Sequence, residues 1–417
     1  MSIQIQRLWF AIGLSLFITG IAFSAGIQWK GSFYNQAYGY QSTDPLTTNT
    51  DTHFWLFSGV NSSINNLPGG WRFLSNVQYR GDQNDKFSTS GQSNLYAANL
   101  SYGDFTSPWS ANIGRFFLYR GVAVGTIDGM EVSRDYDRFG LAVFGGSNVP
   151  ENRDFALAKG NSPFFGGEVK YLWKNAPLIA DQAWKVSYAD QLRDGDEYRR
   201  LVGLQLYGKF NPNWTILGSA QYRLLSQDFR QASVRFRYYS PNITGYLEGG
   251  VLAPEIAAYS WFNNFDLPAV TRVRGAFDYF FIPAQWGAGV EATMTSVQGA
   301  SGFRGGPVIT TPYGQVGYRA ASGDLSKSYG PWLSAWYNMD KQLRLYANSS
   351  VVDYAWDGVN LVKGQVTTAS LGGNYTAVKY DWVTLGGEYQ YFKTPELKSD
   401  RRALGSLTFH FSTGGSK

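Results

Sequence analysis

Segments of about ten residues, in which apolar side chains alternate with polar or small ones, recur from residue 26 onward with turn formers between them. "WRFLSNVQYRG" puts Trp71, Phe73, Val77 and Tyr79 on one face and Arg72, Asn76, Gln78 and Arg80 on the other. "WTILGSAQYRL" sets Trp214, Ile216, Gly218, Ala220 and Tyr222 against Thr215, Ser219, Gln221 and Arg223. In "WVTLGGEYQYF", Val383, Leu385, Tyr389 and Tyr391 oppose Thr384, Glu388 and Gln390. Successive side chains of a strand point to opposite faces, so each segment is a strand with two different environments. No stretch beyond residue 26 sustains a helical period.

A soluble sandwich alternates in the same way, but its solvent face is dense in Lys, Glu and Asp. Here the charged share is 16%, against roughly 25% in ordinary soluble domains. The polar face is instead rich in Gly, Ser, Asn, Gln and Thr. Apolar faces often begin or end with Trp, Tyr or Phe, as aromatic girdles at lipid interfaces do. The formal net charge of +5 permits anion or nucleic-acid binding without requiring it. Nucleic acid is excluded by strand geometry. In "RQASVRFRYYSPNITGYLEGG" (230–250), Val234, Phe236 and Tyr238 fall on one face and Arg235 and Arg237 on the other, whereas a nucleic-acid surface needs rings and cations together.

Cysteine is absent and histidine occurs twice, at His53 and His410. Disulfides, thiolate chemistry and His-rich metal centres are therefore ruled out. No catalytic role is expected for either histidine, no cofactor is implied, and the acids Asp82, Asp85 and Glu151 read as solvated loop charges. At the N-terminus Arg7 precedes an apolar run from Leu8 to about Phe23 and then small residues. This predicts a signal peptide over 1–25, cleaved after Ser24 or Ala25, and an exported unit over 26–417. No later segment approaches the roughly 20 apolar residues of a membrane-spanning helix.

The connections differ in length. Short ones include "NLPGG" (66–70), "RDYDR" (134–138), "NPN" (211–213), "SPN" (240–242) and "NMDKQ" (338–342). Long ones include 41–52, 81–93, 146–163 and 253–270. Short periplasmic turns and longer outer loops characterise outer-membrane barrels, and strict alternation of the two gives about 18–20 strands. Residues 298–330 are then one long outer loop, within which a hairpin over Ile309–Tyr318 fits. Closure follows from physics, because hydrocarbon leaves no partner for an open sheet edge. The expected fold is thus an all-β, closed antiparallel transmembrane β-barrel. With its signal peptide, alternating strands and a last strand "LGSLTFHF" placing Leu407, Phe409 and Phe411 on one face, the mature chain resembles bacterial outer-membrane porin-type barrels. "STGGSK" follows the final aromatic, a departure from that family's usual end. The resemblance implies an outer-membrane location, contact with lipid and lipopolysaccharide, and possible homo-oligomers.

Candidate site residues follow from the strand phase. Lumenal placement is assigned to Arg72, Arg80, Arg223, Arg235, Arg237, Arg272, Arg274 and Arg344, with Lys30, Lys170, Lys185 and Lys209. The acids Glu168, Glu248, Asp278, Glu291 and Glu388 share that face. Turning Arg or Lys to lipid would cost about 2–4 kcal/mol each at the midplane, which constrains the phase. Arg235, Arg237, Arg272 and Arg274 are expected to form one basic patch. In "GRFFLYRGVAVGTIDGMEV" (114–132) the spaced glycines lead into another strand, not a helix, so a phosphate loop is excluded. By connection count its turn is the third outer loop, which in porin-like barrels commonly folds inward. Arg115, Arg120 and Asp128 are therefore constriction candidates. The expected function is passive diffusion of small hydrophilic solutes with a mild anion preference. The alternative is a non-conducting barrel that sheathes a partner or binds through its outer loops.

Overall fold

A computed structural model of the chain describes residues 27–43, 50–82, 91–103, 107–149, 155–158, 160, 162–174, 181–193, 196–254, 268–283, 285–324, 327–340, 342–357, 361–377, 382–394 and 400–413. The signal-peptide region and the loop acids Asp85 and Glu151 lie outside these residues.

The described residues form 22 strands in one sheet, each paired antiparallel with the next. The first eleven are β1 (Gln28–Thr43), β2 (Thr50–Leu67), β3 (Trp71–Asp82), β4 (Gln92–Tyr102), β5 (Trp109–Arg120), β6 (Ala123–Asp135), β7 (Phe139–Asn148), β8 (Pro163–Lys174), β9 (Asp181–Arg193), β10 (Asp196–Lys209) and β11 (Trp214–Arg223). The rest are β12 (Asp228–Tyr239), β13 (Ile243–Leu252), β14 (Val270–Ile282), β15 (Trp286–Val297), β16 (Ala300–Thr311), β17 (Gly314–Gly323), β18 (Lys327–Asn338), β19 (Leu343–Asp357), β20 (Leu361–Thr376), β21 (Val383–Lys393) and β22 (Asp400–Thr413). Trp29–Tyr40 of β1 pair with Thr413–Arg402 of β22, so the sheet closes on itself. Closure gives the backbone groups of both terminal strands a partner, as a sheet in hydrocarbon must.

The expected closed antiparallel barrel is present, with 22 strands rather than 18–20. The extra pair is β16 and β17, which occupy the stretch read as one loop over 298–330. The start of β1, the end of β22 and the short turns 68–70, 136–138, 210–213, 240–242 and 312–313 lie at one rim, here the turn rim. The opposite loop rim carries the longest connections, 149–162 and 253–269.

Cross-strand partners share a face, so the register carries the phase round the barrel. Arg235 lies opposite Glu248, which lies opposite Arg274. On the other face Phe236 meets Leu247, and Val273 and Phe277 continue the apolar band. Leu247, Val273, Phe277, Val290 and Met294 are exposed on that outer face. The band is what a lipid-facing wall requires. The buried apolar cluster lies inside the barrel and comprises Phe116, Leu118, Val122, Ala123, Ile127, Phe144, Phe164, Ala189 and Leu201.

Candidate functional site

The interior cluster exists because the tip of the β5–β6 hairpin leaves the wall. β4 pairs with β5 only up to Arg115, and β7 pairs with β6 only from Ile127 onward. Between those limits residues 117–126 pair with one another alone. The departure point is the cross-strand pair Gly114 and Gly129. Gly114 has φ +119°, and a Cβ there would collide with the Ala98 carbonyl oxygen; one on Gly129 would collide with that of Gly145. Only glycine permits that conformation and so close an approach of backbones.

The hairpin then lies across the inner wall of β7–β10. Phe116, Leu118, Val122 and Ile127 pack against Phe144, Phe164, Ala189 and Leu201. Leu118 and Ile127 are fully enclosed, which stabilises the folded-in position by about 1.5–3 kcal/mol per large side chain. At the tip, Gly121 adopts φ +57° and the Val122 N–H donates to Ser187 Oγ at 3.1 Å. Gly203 of β10 leaves the room that Val122 occupies.

The three constriction candidates all bear on this hairpin. Arg120, from the tip, forms an ion pair with Glu131 of β6 and lies 3.8 Å from Glu168 of β8. Lys185 of β9 adds a second cation 4.0 Å from Glu168. Arg115 and Asp128 form a bidentate pair at the base, both bonds 2.7 Å, with both side chains buried. The same guanidinium donates to the Leu95 carbonyl of β4 at 3.2 Å and to Ala156 of the 149–162 connection at 2.6 Å. The Ala158 N–H donates to Asp128 at 2.6 Å. Arg115 thereby supplies a donor to a wall carbonyl beside the place that β5 vacates, which a buried carbonyl requires. The charges of Arg115 and Asp128 are spent on holding backbone. What the hairpin turns away from the wall is Phe117, Tyr119 and Val124, which are 63%, 69% and 43% exposed.

The basic patch lies on β12 and β14, on either side of Glu248 of β13. Arg235 pairs with Glu248, Arg274 Nε lies 2.9 Å from it, and Arg272 Nη2 lies 3.9 Å away. Three guanidiniums thus share one buried carboxylate, leaving a local excess of positive charge. Arg237, two residues on, has no ion-pair partner among the described residues and lies opposite Tyr246. Beside the patch an open recess is lined by Lys185, Gln205, Ser219, Ser233, Arg235 and Glu248.

The remaining assigned arginines also occupy the inner phase. Arg72 donates to Ser101 at 2.9 Å, and Arg80 donates to Gln92 at 2.9 Å with Trp55 under its guanidinium. Arg223 pairs with Asp228 and donates to the Pro254 carbonyl at 3.1 Å. Arg344 lies opposite Asn338 and Asn374 near the turn rim. Sequence reasoning missed Arg319, which bonds Glu291 at 3.0 Å and lies over Trp332, because its strand β17 was taken for loop. It also missed Glu131, the main anchor of the hairpin tip. His53 stacks on Tyr40 at 4.7 Å, and His410 sits beside Thr384 at the turn rim.

No family model and no curated protein matches the chain. Solved structures do. The P pilus usher (PapC) translocation pore aligns over 93% of this chain and 100% of its own, with 8% identity and a TM-score of 0.50. A BenF-like porin from Pseudomonas fluorescens Pf-5 aligns over 93% and 99%, with 10% identity and a TM-score of 0.44. The outer membrane protein opdK from Pseudomonas aeruginosa aligns over 92% and 99%, with 10% identity and a TM-score of 0.43. At these identities the likeness is one of fold: a large closed antiparallel β-barrel.

Proposed function

We propose that the barrel is an outer-membrane channel for passive diffusion of small hydrophilic solutes, with a mild preference for anions. The observation that carries this reading is the inner wall of β11–β15, where Arg235, Arg272 and Arg274 surround Glu248 and, among the described residues, Arg237 stands beside them without an acid. A ring of positive charge lowers the barrier for anions entering a pore. Arg72, Arg80, Arg223 and Arg344 extend the basic lining, although Arg223 is neutralised by Asp228. The inward hairpin narrows the lumen on one side. In this reading Arg120 holds its tip, and Arg115 with Asp128 holds its base.

Residues 1–25 are the export signal in this account, and the loop rim faces outward among lipopolysaccharide. Homo-oligomers are compatible with it. Purified protein in a planar bilayer tests the proposal: it predicts stepwise conductance and a reversal potential displaced toward that of the anion in a salt gradient. A sleeve or receptor barrel predicts no steps.

A further inference from the structure

We infer that Phe117, Tyr119 and Val124, continued toward the loop rim by Leu157, form a contact strip for solutes that carry a flat apolar ring on a polar body. This deepens the channel reading and rests on it. Four observations support it.

The strip is continuous by construction. Arg115, Phe117 and Tyr119 alternate onto one face of β5, and Asp128, Thr126 and Val124 lie opposite them on β6. Ala156 and Ala158 are bonded to Arg115 and Asp128, so the intervening Leu157 is anchored at the base of that same face. Leu157 is 78% exposed. Residues two apart on a strand are roughly 7 Å apart, so Phe117 and Tyr119 sit at a spacing that one or two small rings can bridge.

The strip faces the lumen. The opposite face of the hairpin is the one packed on the inner wall, through Phe116, Leu118 and Ile127. Phe117 and Tyr119 therefore point away from the wall, into the space where solutes pass. Their large exposure shows that they add little to packing, so support of the fold does not account for them.

The strip departs from its setting. Elsewhere the inner phase carries hydroxyls, amides and charges, such as Ser219 with Ser233, Ser334 with Asn348, and Ser350 with Thr368, and inner rings such as Trp55, Tyr246 and Trp332 lie under guanidiniums. Aromatic faces in contact with lumenal water gain by stacking with an apolar ring. The strip is also rigid, because the latch of Arg120, the Ser187 bond and the buried cluster fix its backbone. A fixed platform loses little entropy on binding.

The experiment uses the full chain and two neutral probes, phenyl β-glucoside and the ring-free methyl β-glucoside. In planar bilayers the phenyl compound should give brief concentration-dependent blockades and the methyl compound none. Phe117→Ala and Tyr119→Ala should each shorten the blockades by about threefold to tenfold. Tyr119→Phe should retain them, and Phe303→Ala on the outer face should change nothing. Equal blockade by both probes, or by wild type and both alanine variants, overturns the inference. Calorimetric titration of the detergent-solubilised barrel separates this result from the channel reading. Phenyl-selective binding that is lost in the alanine variants supports the strip even without conductance, and no phenyl-selective binding rejects it even where conductance is present.

Discussion

Two adjoining stretches of the inner wall, nine of its 22 strands, are built on different principles. Along β7–β10 the wall is dry: the hairpin covers it, and Leu118, Ile127 and Leu201 are enclosed as in a soluble core. Along β11–β15 it is bare, and its side chains are half-buried arginines, serines and glutamines around the Glu248 cluster. The same strand phase serves both. Where a second apolar layer arrives from the chain itself, inner positions become Phe, Ala and Leu. Where none arrives, most stay polar, with Leu217 an exception. The lumen is therefore asymmetric, filled on one side and charged on the other.

That contrast can be broken first at its apolar contacts. Leu118→Ala should destabilise the folded-in hairpin by about 2–5 kcal/mol, read by urea unfolding in lipid vesicles together with a rise in unitary conductance. The equivalent change on the bare stretch, Leu217→Ala at a 38% exposed inner position, should stay within about 0.5 kcal/mol. Equal costs would mean that the two stretches do not differ. Gly121→Ala comes next. Its Cβ would collide with Ser187 Oγ at a φ of +57°, and strain of about 1–3 kcal/mol should lift the tip and increase open-channel noise. Arg120→Met removes the cation between Glu131 and Glu168. Arg120 itself is partly exposed and Glu168 keeps Lys185, so a milder loosening of about 1–2 kcal/mol is expected, below the cost of breaking a fully buried pair. The smallest effect separates two neighbours on the bare stretch. Arg237→Ser should lower anion selectivity more than Arg235→Ser, because Arg235 is already balanced by Glu248.

Much of this was legible in the sequence, and the failures have physical causes. Alternation fixed the face of Arg72, Arg223, Arg235 and Glu388, because neither lipid nor water tolerates the wrong side chain. The same test failed over 298–330. There Gly305, Gly306, Gly317 and Pro307 interrupt the pattern, and Pro307 cannot donate to the ladder. β16 and β17 pair on either side of Pro307, between Gly305–Ala320 and Val308–Gly317. The hairpin left a signal that alternation alone does not interpret. "RFFLY" is apolar on both faces, but so are "FWLF" of β2 and "YFFI" of β14, which stay in the wall. What sets this segment apart is the second surface that Phe116 and Leu118 find inside the barrel. Its partners Phe144, Phe164 and Leu201 lie on three other strands, and no local spacing links them.

The most direct test of the central claim is the ion selectivity of single channels formed by the purified barrel in a salt gradient. The account predicts stepwise conductance with a reversal potential on the anion side, moved toward zero when Arg235 and Arg237 are both changed to Ser. A protein that shows no steps, or one that favours cations, would contradict it.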